Sequence, residues 1–168
     1  MTSSPISAPS PRAEPWERPI RDFPGLVHLA PPVTHPDDPL TAVVETFSRD
    51  RGAGAVFVVD ADDRLLGCIR EQALDTDLVT LVLPERLWPS VRDLDRRDVL
   101  RAARPDARRA RDLMTRTRSI TPDTPLKDVL ASMARADQPV VALVDDQGRL
   151  MGYLRLFEVL AHFLRPST

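Results

Sequence analysis

The hydrophobic positions of the chain fall into short apolar runs separated by turn residues, and two of these runs read almost alike. From Gln138 to Leu160 the sequence QPVVALVDDQGRLMGYLRLFEVL predicts a buried strand at 140–144, a turn, a second strand at 150–154 and a helix. The turn Asp145-Asp146-Gln147-Gly148-Arg149 suits a hairpin, because aspartate side chains bond their own backbone and Gly148 can take positive φ. The stretch 55–74, AVFVVDADDRLLGCIREQAL, repeats it. With Asp60 laid on Asp145, Val59 matches Val144, Arg64 matches Arg149, Leu65 matches Leu150, Gly67 matches Gly152 and Arg70 matches Arg155. Upstream, Pro36-Asp37-x-Pro39-Leu40 matches Pro122-Asp123-x-Pro125-Leu126, one residue out of register with the later block. An internal duplication means two copies of one supersecondary unit.

In chain order, Val33-Thr34 is a short strand, and Asp38 is placed to cap a helix whose first turn suits Pro39. Leu40, Val43, Val44 and Phe47 share one face of that helix, and Gly52 and Gly54 end it. The run 55–59 is apolar throughout, which implies cover on both faces. Residues 65–70 return as a strand, and 71–82 read as a helix up to Pro84, too apolar for one narrow stripe and therefore sandwiched or set against another subunit. Helices at 91–103 and 106–114 lead to the second copy, with a strand at 119–121, a helix at 125–136, strands at 140–144 and 150–154 and a helix at 156–164. The expected organisation is a Pro-rich, partly disordered segment over 1–30, a first unit over 31–84, a connector over 85–105 and a second unit over 106–165. Residues 1–17 read as a tail, with Trp16, Ile20, Phe23, Leu26 and Val27 available to anchor the rest of the N-terminal segment against the folded body.

Composition narrows the function classes. A chain of 168 residues can bury roughly two-thirds of its unfolded surface without disulfides or a structural metal. The single cysteine, Cys68, lies in a strand and reads as a small buried hydrophobe. No apolar run approaches about 20 residues and no leader pattern opens the chain, so a soluble, cytoplasmic protein with no membrane partner is expected. The net charge of -2 makes no whole-chain case for nucleic acid. Locally, 91–118 carries ten arginines against five aspartates, but no interleaved aromatics, and reads as a self-neutralising connector rather than a nucleic-acid patch. The cluster Asp60-Ala61-Asp62-Asp63 has too few ligands for calcium, and His28, His35, His162 and Cys68 lack metal spacing. No metal site, catalytic grouping or required cofactor is expected.

The doubled strand-helix-strand-strand-helix pattern, with VVDADDRLLG and LVDDQGRLMG at the hairpins, resembles the CBS-domain pair, or Bateman module. The lead-in Asp112-Leu113-Met114-Thr115 and the following Ile120-Thr121-Pro122-Asp123 are similar to that family as well. The resemblance spans about residues 30–164 and implies an α/β fold of two β-α-β-β-α units packed through their sheets as a pseudo-twofold disc. It implies a non-catalytic regulatory module, an unidentified protein target, and a homodimer formed through the helices, with Phe157, Leu160, Phe163 and Leu164 available for it. Many members bind adenosine compounds such as AMP, ADP, ATP or S-adenosylmethionine in the inter-unit clefts.

The family's nucleotide signature runs Gly, two hydrophobics, Thr or Ser, two variable residues and Asp. Here the copies read Gly67-Cys68-Ile69-Arg70-Glu71-Gln72-Ala73 and Gly152-Tyr153-Leu154-Arg155-Leu156-Phe157-Glu158, so arginine replaces both hydroxyls and an acid remains only at Glu158. Arg70 and Arg155 either bind an anionic group such as a phosphate, or extend to solvent or pair with an acid such as Glu158. Glu158 can accept ribose hydroxyls. Thr34, His35, Ile120 and Thr121 lie where the resemblance puts backbone contacts to a base. The rival expectation is a degenerate pair that binds no nucleotide and serves as a dimeric protein-interaction scaffold.

Overall fold

The computed structural model describes residues 14–50, 52–74, 108–136 and 139–164. Of the helix expected over 71–82, residues 71–73 form a 3-10 turn and 75–82 lie outside the described residues, as do the connector helix over 91–103 and the arginines between 91 and 107.

Each copy builds one three-stranded sheet. In the first, β1 (Val33–Thr34) runs parallel to β2 (Ala55–Val59), and β2 pairs antiparallel with β3 (Leu65–Arg70). Between β1 and β2, α1 (Leu40–Arg49) makes the crossover. After β3 comes a single 3-10 turn, Glu71–Ala73. The second copy places a short helix, α2 (Ala110–Leu113), ahead of β4 (Ser119–Ile120), α3 (Leu126–Ala136), β5 (Val140–Val144), β6 (Leu150–Arg155) and α4 (Leu156–Leu164). β4, β5 and β6 repeat the first sheet's order and directions. Even the irregularity repeats, since the register shifts between Val58 and Val59 and again between Leu143 and Val144.

The hairpin turns show why the duplicated aspartates are there. Asp60 Oδ1 accepts the backbone N–H groups of Asp62 and Arg64, and Asp145 Oδ1 accepts those of Gln147 and Arg149, at 2.8–2.9 Å in every case. Gly148 has φ +80°, while the first copy closes its turn with Asp63 at φ +63°. Aspartate tolerates that region better than most side chains, which lets the two turns share one geometry.

Alternation along the strands divides two faces. Val58 and Ile69 pack on the α1 side with Leu40 and Val43, and Val141, Leu143 and Leu154 pack with Leu126, Val129 and Met133 of α3. The opposite faces meet: Phe57 and Cys68 pack against Val140, Ala142 and Tyr153, with Leu65 and Leu150 beside them. Both copies of the apolar strand are therefore covered twice, as their composition requires. At the edge of this interface the hairpins bond to each other, with Leu65 N–H donating to Gly148 O at 3.0 Å and Leu150 N–H to Asp63 O at 2.9 Å.

The lead-in segments cross over. Ile20, Phe23 and Leu26 are buried in the second unit's core, whereas Ala110 and Leu113 are buried in the first unit's. His28 pairs with Tyr153 on β6, and Thr115 pairs with Cys68 on β3, each through two backbone hydrogen bonds of 2.9–3.0 Å. Chain order alone groups residues 106–114 with the second copy; in space Ala110 and Leu113 close the first. Within the segment read as tail, Pro15–Glu17 forms a 3-10 turn, and Glu17 takes an ion pair from Lys127 of α3 at 2.9 Å.

Two local expectations change. Asp38 does not cap α1, which starts at Leu40 behind an extended Pro39 with no side-chain cap. Its carboxylate lies one residue too early, and instead accepts the Thr34 hydroxyl at 2.8 Å and the His35 N–H at 2.7 Å. Of the helix expected over 106–114, the described residues form a single turn, Ala110–Leu113, held by the Asp112 carboxylate accepting Arg109 N–H at 2.8 Å.

Candidate functional site

The arginines that end β3 and β6, Arg70 and Arg155, are quasi-equivalent in the repeat, and among the described residues each lines a cleft of different composition. One cleft, of about 500 Å³, is lined by the crossing lead-in (Val27, His28, Leu29, Ala30), by Asp50 and Gly52 beyond α1, and by Tyr153 and Arg155 of β6. The other, of about 700 Å³, is lined by Arg70, Gln72 and Ala73 from the end of β3, by Met133 and Ala134 of α3 with Pro139, and by Leu156 and Phe157 of α4.

In the smaller cleft the charge of Arg155 is answered within the chain. Arg155 Nη1 donates to Glu158 Oε1 at 3.0 Å, and the other oxygen of that carboxylate lies 2.5 Å from His28 Nε2. The His28 ring stacks on Tyr153, with centroids 4.7 Å apart and planes 20° from parallel. Burial raises the Tyr153 phenol above its ordinary pKa, so it stays neutral at physiological pH. One turn of α4 thus brings Glu158 back onto the arginine three residues before it, and the lead-in adds a second partner.

The larger cleft has no such closure. Ala73 stands where Glu158 stands in the second copy, and Arg70 makes no hydrogen bond or ion pair with any described residue. Cys68 occupies the place of Tyr153, its thiol pushed up in pKa by burial, so it behaves as the small hydrophobe its sequence context suggests.

Of the seven residues singled out from the sequence, Arg70 reaches the larger cleft and Arg155 the smaller, with Glu158 bonded to Arg155. Thr34 is buried and committed to Asp38, and His35 lies beside the same carboxylate. Ile120 belongs to the second unit's core, and Thr121 N–H donates to Thr124 Oγ1 at 3.0 Å. None of these last four is among the described lining of either cleft. Sequence reasoning passed over His28, tested only for metal spacing, and Tyr153, the chain's one tyrosine. No group of metal-ligating side chains occurs among the described residues, and no helix among them is long and apolar enough to cross a membrane.

The family model for the CBS domain matches residues 22–76 and 110–165, the two copies just described. The chain belongs to the CBS-domain family. Its fold is that of a tandem CBS pair, similar to a CBS domain-containing protein of Thermotoga maritima at 23% identity, with 90% of this chain and 99% of that one covered and a TM-score of 0.65. The cytosolic domain of the Mg2+ channel MgtE, solved with ATP, is 21% identical over 82% of this chain and 47% of its own, with a TM-score of 0.59. A CBS-domain pair solved with 5′-methylthioadenosine and S-adenosyl-L-methionine is 16% identical over 88% of this chain and 99% of its own, with a TM-score of 0.60. No curated protein sequence matches the chain.

Proposed function

We propose that this CBS pair is a regulatory, non-catalytic module that senses an anionic small molecule in the cleft at Arg70. The observation that carries the proposal is Arg70 itself: a half-buried guanidinium, without a described partner, at the wall of a 700 Å³ cleft between the units. A cleft of that volume is in the range that holds small ligands, and an unanswered guanidinium is a ready partner for carboxylate or phosphate. Adenosine compounds are the first class to test, because similar pairs were solved with them. A ligand would transmit a signal by favouring one relative arrangement of the two units, provided it binds the two arrangements unequally.

The test is a thermal-shift panel of AMP, ADP, ATP, S-adenosylmethionine, NAD, inorganic phosphate and simple organic acids on the full chain. A ligand at a hundred times its dissociation constant adds about 2.7 kcal/mol, worth several degrees at this size. No shift with any member at millimolar concentration would remove the sensing proposal and leave the scaffold.

A homodimer through α4 fits the surface. Phe157 and Leu164 are 75% and 81% exposed, with Leu160 between them, so one stripe of the helix offers apolar area to a second copy. Light scattering of the parent and of Leu164→Glu tests it: a dimer that becomes a monomer is the expected result, and a monomeric parent would dismiss it.

A further inference from the structure

The composition of the larger cleft says which anion it suits. Its described lining holds one cation, Arg70, and one amide, Gln72; the rest is Ala73, Met133, Ala134, Pro139, Leu156 and Phe157, with no carboxylate. A nucleoside brings a vicinal diol that must exchange its water for protein acceptors, and the described side chains here offer two hydroxyls a single neutral acceptor, the Gln72 amide oxygen, and no carboxylate to take both. The acid that could receive them sits in the second copy, as Glu158, already bonded to Arg155 and beside His28. Ala73 takes that place here.

We infer that the Arg70 cleft takes an amphipathic carboxylate, a small aromatic or aliphatic acid whose charged end meets Arg70 and whose apolar body lies on Met133, Pro139, Leu156 and Phe157. The inference rests on the sensing proposal and specifies its ligand class. A planar guanidinium receives a carboxylate through two parallel N–H···O bonds, and burial of the apolar body supplies the remaining affinity. Glu158 on Arg155 is a related contact made internally through one hydrogen bond, a carboxylate of the chain itself held by the quasi-equivalent arginine at 3.0 Å.

The experiment is a titration of the full chain with 2-naphthoate and hexanoate, with acetate and inorganic phosphate as anions lacking an apolar body, and with AMP and ATP as nucleotides. The parent, Arg70→Gln, Arg70→Lys and Arg155→Gln are compared after their melting temperatures have been matched. Naphthoate binding at least tenfold tighter than acetate, weakened tenfold or more by Arg70→Gln, partly restored by Arg70→Lys and retained in Arg155→Gln, is the expected result. Arg70-dependent binding of ATP or AMP without naphthoate or hexanoate would overturn the carboxylate assignment while leaving the sensing proposal intact. Naphthoate binding indifferent to Arg70→Gln would also overturn it. No binding of any probe would end both.

Discussion

The carbonyl oxygen of His28 lies 2.5 Å from the point where a side chain on Gly152 would begin, and Thr115 stands in the same relation to Gly67 at 2.6 Å. These glycines are required by close approach, since each crossing lead-in runs backbone to backbone over the β-strand of the opposite unit. Neither position calls for positive φ.

A Gly152→Ala substitution should therefore cost about 1–3 kcal/mol, because the obstacle is backbone and cannot rotate away. It should also weaken the pair of hydrogen bonds between His28 and Tyr153. Gly25→Ala, with nothing within 4 Å of the added carbon, should stay within about 0.5 kcal/mol of the parent. Urea denaturation of the two variants checks the contrast; equal midpoints would mean the lead-in is free to lift.

The same lead-in carries Ile20 into the second unit's core with no exposed surface. Ile20→Ala should destabilise by roughly 2–5 kcal/mol. Trp16→Ala, at a residue 48% exposed, should cost far less. If Ile20→Ala melted with the parent, the segment would be an appendage rather than part of the second unit.

Two carboxylates among the described residues contribute to the acid limit. The His35 N–H, assisted by the Thr34 hydroxyl, holds Asp38 below the ordinary aspartate value of 3.8, and the Arg149 N–H, assisted by its guanidinium and by Gln147, does the same for Asp145. A folded-state pKa below the unfolded one gives stability that is intact above about pH 4 and lost as pH falls through the lowered value. Asp38→Asn should lower stability at pH 7, where the carboxylate's contribution is present, and flatten the acid limb, so that variant and parent converge as pH falls through the lowered value. Denaturant midpoints measured from about pH 2 to 5 would show it, and an unchanged slope would refute the assignment.

Much of this arrangement is legible in the sequence. Strand runs at 55–59, 65–70 and 140–144 and the helix at 156–164 were recoverable because period and punctuation agree, and because each copy checks the other. The crossing of the lead-ins was not, since nothing in PWERPIRDFPGL or ARDLMT says which of two similar units those apolar residues enter. Asp38 misled for a related reason: a cap and a turn begun one residue earlier use the same side chain. At the clefts, the paired arginines were visible, but their fates depend on a contact 130 residues away in sequence, His28 with Glu158.

Duplication has left two arginines, Arg155 answered internally by Glu158 and Arg70 open to its cleft. Equilibrium dialysis of the full chain against 2-naphthoate, and separately against ATP, counts the sites directly. One molecule of 2-naphthoate bound per chain, lost in Arg70→Gln and kept in Arg155→Gln, is the predicted result; two per chain, loss on Arg155→Gln with retention in Arg70→Gln, or Arg70-dependent binding of ATP in its place, would contradict it.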